Sequence, residues 1–178
     1  MKNIQKFYPI QTWVNNPILR KVSVEIEKID EDTTNFAQEL MELMRLYDWA
    51  GLAAPQVWKN IRMIATTQWK EVKNELKLIG KILMINPNII EKSKEIVTSD
   101  EACLSIPNFS GKVKRHKTIT VEYLDLKWKR KNKKLRNLDA FIVQHEYDHL
   151  DAILFVDKLI KNSWKWKIEN FKSGLKEF

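Results

Sequence analysis

Two histidines four residues apart, His145 and His149, constrain this chain more than any other feature, because they lie inside a segment whose apolar residues repeat with a helical period. Leu138, Phe141, Ile142, His145 and His149 fall at offsets of three, four, seven and eleven, so one face of a helix starting near Asn137 carries the apolar stripe and both imidazoles. The pattern His145-Glu146-Tyr147-Asp148-His149 is the H-E-x-x-H arrangement, in which two ring nitrogens reach one metal ion. Glu146, next to the first ligand, is placed to exchange protons with water activated at that ion, the chemistry used to hydrolyse amide bonds. The bland alternative is a pair of satisfied core or helix-surface histidines.

Such a site needs a third ligand. Downstream of His149 there is no further histidine or cysteine, only carboxylates such as Asp151, Asp157 and Glu169. Upstream, Glu101-Ala102-Cys103-Leu104-Ser105-Ile106-Pro107 contains the only cysteine, which excludes an internal disulfide and leaves the thiol for metal or chemistry. A Cys103 thiolate would complete a Cys-His-His set with one open position. Alone, a cysteine is more often a small buried hydrophobe, and the helix downstream reverses that reading. A third segment, Gly51-Leu52-Ala53-Ala54-Pro55-Gln56-Val57, combines small residues that admit another backbone with Gln56, a neutral amide donor for a developing oxyanion. Taken by itself, that segment reads as a helix-to-strand turn.

The rest of the chain supports one domain over residues 1–178, since 178 residues with 44% apolar content suffice for a single core and no repeat or linker divides them. A first helix is expected after Thr33 or Thr34 as cap, with Phe36, Leu40, Leu43, Met44 and Tyr47 forming its apolar stripe. Strands are expected at 61–67, 82–86, 89–98 and 118–126, and a C-terminal helix after Ser163 with Trp164, Ile168, Phe171 and Leu175 on one face. The fold class is therefore α+β, with antiparallel or mixed sheets around the helix near residues 137–151. Neither a signal peptide nor a membrane span is evident, so a cytoplasmic protein with no membrane partner is expected. The net charge of +8 is concentrated in residues 127–134, where six cations read as a solvated hairpin tip or, alternatively, as a nucleic-acid contact; no specific DNA partner is implied.

The three segments, in this order, resemble the signature motifs of the peptide deformylase family, G-x-G-L-A-A-x-Q, E-G-C-L-S and H-E-x-D-H-L-x-G. They match at Gly51-Leu52-Ala53-Ala54-Pro55-Gln56, Glu101-Ala102-Cys103-Leu104-Ser105 and His145-Glu146-Tyr147-Asp148-His149-Leu150, and Pro17-Ile18-Leu19-Arg20-Lys21-Val22 is similar to the family's N-terminal region. The resemblance implies a hydrolase that removes the formyl group from N-terminal formylmethionine of nascent chains. It implies that Cys103, His145 and His149 hold one divalent metal, usually Fe²⁺ in this family, with Zn²⁺, Ni²⁺ or Co²⁺ able to occupy the site. Glu146 would then shuttle the proton, and the Gln56 side chain and Leu104 backbone N–H would stabilise the oxyanion. The backbone at Gly51 and Ala102 would pair with the peptide, Phe141 and Ile142 would wall the methionine pocket or serve only the core, and Asp148 and Glu101 would orient ligands or loops. A transient ribosome contact through the basic surface is a further implied partnership.

Three family glycines are replaced here, by Trp49, Ala102 and Ala152. Each replacement is expected either to strain a left-handed backbone, at about 1 to 2 kcal/mol, or to reshape the turn. Trp49 is expected at the cleft mouth. Two other functions share this framework: a related hydrolase acting on another formylated amine, and a noncatalytic module docking on the ribosome or RNA.

Overall fold

The computed structural model describes residues 9–166. Helix α1, Glu31–Leu46, begins at Asp30, whose carboxylate accepts the Thr33 amide at 3.0 Å. Thr33 and Thr34 thus lie one turn inside the helix rather than capping it; Asp30 accepts from both the amide and the hydroxyl of Thr33, so the carboxylate takes the cap position. Phe36, Ala37, Leu40 and Met44 are buried, as their spacing requires.

Short strand β1, Gly51–Ala53, pairs antiparallel with β2, Met63–Val72, which turns through Lys73 and Asn74 into β3, Glu75–Lys92. Both turn residues have positive φ, 53° and 64°, the two-residue hairpin geometry normally signalled by Asn-Gly. The segments expected at 82–86 and 89–98 are divided differently. Pro87 does not end β3; an irregularity between Ile85 and Asn88, with Asn86 at φ 47°, absorbs it, and Asn86 clasps the Ile26 backbone through both side-chain atoms. The turn comes after Lys92, and Ile96–Cys103 forms a separate strand, β4.

Strands β5, Ile106–His116, β6, Thr118–Leu124, and β7, Arg130–Arg136, precede helix α2, Asn137–Leu150. The region expected to form the C-terminal helix starts as β8, Lys165–Trp166, which pairs with β5. Trp164 still docks as an aromatic, stacked 6.0 Å from Phe109, but on extended chain; Ile168, Phe171 and Leu175 lie outside the described residues.

Two antiparallel sheets result, ordered β1-β2-β3-β6-β7 and β4-β5-β8. Alternation along β2 sends Met63 and Ala65 to the α1 side and Ile64 to the α2 side, so the larger sheet is buried on both faces at its centre. Helix α2 packs on β1 and β2 and also touches β5 of the smaller sheet. It is buried on most sides, which is why its histidines are held inside the protein.

Candidate active site

Each motif arrives on a different element. Helix α2 supplies His145, Glu146 and His149, the last residue of β4 is Cys103, and a single 3-10 turn, Ala54–Val57, carries Gln56. The Cys103 sulfur lies 3.3 Å from His149 Nε2, and one ligand atom from each of Cys103, His145 and His149 falls within 4.8 Å of the others. All three residues are buried.

Their environment fits a cation. His145 Nδ1 meets Glu101 Oε2 at 2.9 Å, leaving Nε2 to face the centre, where it is buried without a hydrogen-bond partner. A carboxylate behind a ligating imidazole sets its orientation and raises its basicity. Burial opposes charge on His145, yet the nearby Cys103 sulfur and the Glu101 carboxylate hold its pKa well above the usual value. For His149, burial and then the neighbouring His145 charge push the pKa well below the usual value, which keeps that ring a neutral lone-pair donor. A soft sulfur and two imidazoles, one of them with its Nε2 orphaned, together form the donor set of a divalent transition metal.

Behind the ligands runs a buried ionic chain that sequence reasoning located only in part. Arg115, 3% exposed, makes a two-pronged contact with Glu101 at 2.7 and 2.8 Å and reaches Asp148 at 2.5 Å. Lys158 meets the other Asp148 oxygen at 2.6 Å. Glu101 therefore stands behind the His145 ring, while Asp148, on α2 itself, joins the same ionic chain. The signal for Arg115 was weak, because a single arginine in a lysine-rich strand marks nothing until β5 alternation, with Val113 buried beside it, turns it inward.

Glu146 is 2% exposed, and its Oε2 has no hydrogen-bond partner among the described residues. Burial pushes its carboxyl up to about 7, a value suited to taking and returning a proton near neutrality. Gln56 is fixed in orientation: Oε1 accepts the Ala53 amide at 2.8 Å, and Nε2 points to Cys103 Sγ at 3.5 Å and Ser105 Oγ at 3.2 Å. The N-terminal loop ties the two motifs together, Gln11 N–H donating to Gln56 O at 2.8 Å and Trp13 N–H to Ser105 O at 2.9 Å. Neither of these ties was foreseen from sequence.

Of the other expected site residues, Gly51 lies on β1 directly beneath Glu146, while Ala102 is exposed on β4 and Leu104 is half-buried in the tight turn between β4 and β5. Ile142 is buried, and half-buried Phe141 packs against the core between α2 and the larger sheet. Of the three glycine replacements, only Ala152 bears positive φ, at 61°; Trp49 and Ala102 do not. Trp49 is half-buried just after α1.

A family model described as polypeptide deformylase matches residues 8–165. The chain is 39% identical over 149 residues to the peptide deformylase of Finegoldia magna, covering 84% of this chain and 88% of that protein. A probable peptide deformylase from synechococcus phage S-SSM7 superposes with a TM-score of 0.76 at 40% identity, covering 86% of this chain and 100% of that one. A class I type b peptide deformylase from Acinetobacter baumannii, solved with Met-Ala-Ser bound, superposes with a TM-score of 0.78 at 30% identity, covering 85% and 97%. With the three motifs converging on one buried centre and the match extending over most of its length, the chain belongs to the peptide deformylase family.

Proposed function

We propose that this protein is a metal-dependent hydrolase that removes the N-formyl group from the formylmethionine of nascent polypeptides, releasing formate, and that residues 1–178 act as one catalytic domain. The observation that carries the reading is the convergence of Cys103, His145 and His149 within 4.8 Å, with the Glu146 carboxyl and the Gln56 amide beside them. These three residues would hold one divalent cation, Fe²⁺ in this reading, with Zn²⁺, Ni²⁺ or Co²⁺ as substitutes. Such a cation supplies Lewis acidity, lowering the pKa of water and polarising a carbonyl.

The chain's own groups do the rest. Glu146 takes the proton of the attacking water and returns it to the departing methionine nitrogen, for which a carboxyl near 7 is well matched. The Gln56 Nε2–H and the Leu104 backbone N–H donate to the formyl oxygen as it gains charge. The orientation of the Gln56 amide is set by Ala53, whose N–H donates to Oε1. β1 and β4 are edge strands of different sheets, so the backbones at Gly51 and Ala102 are available to an extended peptide, while Phe141 and Ile142 wall the methionine side chain. The Met-Ala-Ser ligand of the Acinetobacter baumannii relative supports a peptide beginning with methionine.

No helix among the described residues is long and apolar enough to cross a membrane, and we place the activity in the cytoplasm, with transient ribosome contact through the basic surface. Iron-loaded protein prepared anaerobically is expected to release formate from formyl-Met peptides and far less from small formamides, with one metal per chain by elemental analysis. Glu146→Ala should abolish release while keeping the metal. Absence of formate from iron-loaded protein, or an equal rate on small formamides, would overturn the reading.

A further inference from the structure

The β6–β7 hairpin is the most cationic part of the molecule, and catalysis leaves it unused. Lys127, Lys129, Arg130, Lys131, Lys133, Lys134 and Arg136 fall within residues 127–136. Two of them meet carboxylates, Arg130 with Glu122 at 2.7 Å and Lys131 with Asp125 at 3.7 Å, and Lys133 lies in the field of Asp139. Lys127, Lys129, Lys134 and Arg136 are exposed and have no ion-pair partner among the described residues.

The tip is a built turn. Asp125 Oδ1 accepts the amides of Lys127 and Lys129 at 2.9 and 3.0 Å, and Asp125 O accepts the Trp128 amide at 2.9 Å. This holds Trp128 at φ 60°, a backbone region that bulky residues rarely enter, with 45% of the residue exposed. An indole is thus held outward between two lysines that have no counter-charge. An aromatic face flanked by unpaired cations matches a nucleotide, whose base stacks while its neighbouring phosphates are neutralised.

We infer that the β6–β7 hairpin binds RNA, with Trp128 as stacking platform and Lys127, Lys129, Lys134 and Arg136 as phosphate contacts. A membrane surface is the weaker fit, since interfacial anchoring buries a continuous apolar face and the tip offers only Trp128 and the 39% exposed Leu126. Position favours the inference too. β7 is the sheet edge opposite β1, with three strands between them, so a bound RNA leaves the Gly51 side of the molecule open to peptide. The biological sense of this contact rests on the nascent-chain reading above, although its chemistry does not depend on catalysis.

The test uses the full chain and a fluorescein-labelled stem-loop RNA, with anisotropy measured from 50 to 200 mM KCl. Four unpaired cations predict a slope of log K against log salt of about −3. Reversing Lys127, Lys129 and Lys134 to Glu should weaken binding at least tenfold and flatten the slope by about two to three. Trp128→Ala should weaken binding about tenfold and leave the slope alone. The same reversal of Lys70, Lys73 and Lys77 on the β2–β3 hairpin should change affinity less than twofold. Equal losses from the two triple variants, no effect of Trp128→Ala, or tighter binding to phosphatidylserine vesicles than to RNA would each overturn the proposal. Formate release from a formyl-Met tripeptide should be unchanged in the hairpin variants. Active protein blind to RNA therefore defeats this inference alone, and inactive protein that binds RNA through Trp128 defeats only the catalytic one.

Discussion

Gly51 and Glu146 are in direct apposition: a Cβ placed on Gly51 would lie 2.5 Å from Glu146 Oε1 and 2.7 Å from its Cγ. Of the family's first-motif glycines, the one that remains here is the one on which the Glu146 carboxylate, the proposed acid/base, rests. Gly51→Ala must therefore move Glu146, which is too buried to swing into solvent. We expect kcat to fall by about 10²-fold, within the 10²–10⁴ range of losing an acid/base group outright, with one metal per chain retained. Wild-type kcat in this variant would show that the apposition has no catalytic consequence.

Gln56 is held by its own oxygen, which accepts the Ala53 amide and turns Nε2 toward Cys103 and Ser105. Gln56→Ala should lower kcat by about 10²- to 10³-fold, the usual loss on removing an oxyanion donor, with KM little affected. A change in KM alone, measured by steady-state formate release, would instead place Gln56 in ground-state binding.

Ala152 closes helix α2 in the left-handed position of a Schellman turn: Ile153 N–H donates to Asp148 O at 2.9 Å, and Ala152 N–H to His149 O at 3.3 Å. Glycine at this position avoids about 1 to 2 kcal/mol of backbone strain and gives back about 0.4 to 1 kcal/mol through the freer unfolded chain. Ala152→Gly should therefore stabilise the protein by about 0.5 to 1 kcal/mol, raising Tm by about 2 to 3 °C in calorimetry. A lower Tm would contradict this.

Glu101 has a sign-specific pH signature. Burial alone would raise its carboxyl, but the hydrogen bonds from Arg115 and His145 hold it down, from 4.5 to about 2. A depressed folded pKa gives stabilisation that is complete above about 4.5 and is lost as pH falls toward about 2. Melts of metal-free protein between pH 2 and 5 should show a shallower acid loss in Glu101→Gln than in wild type. The same variant should bind metal about 10- to 100-fold more weakly, because the carboxylate behind His145 is gone. Parallel acid limbs would refute the first expectation.

Arg115→Met removes the one cation shared by Glu101 and Asp148 and leaves Glu101 without a guanidinium in the interior. Breaking such a buried pair from one side costs about 3 to 5 kcal/mol, which denaturant unfolding would measure. Arg115→Lys should recover only part of that, since one ammonium cannot form the two-pronged contact with Glu101.

The ligand helix was legible in the sequence because its information is local: the offsets linking Leu138, Phe141, Ile142, His145 and His149 are properties of a helix alone. So were the α1 stripe, a strand within 118–126 and, through three ordered motifs, the family and the three residues that converge as candidate ligands. What only the tertiary structure decided depends on contacts between distant segments. Asp30 took the cap from Thr33 because its carboxylate satisfied two donors at once, and β3 ran through Pro87 because the Asn86 bulge absorbed the missing amide. Strand β7 carries one buried residue, Leu135, so its cations hid it until β6 supplied a partner. The role of Arg115 followed from sheet register, and that of Gly51 from its approach to a side chain 95 positions away. Periodicity tells a residue which way to face, but which residue it then meets is settled only when sheets and helices pack.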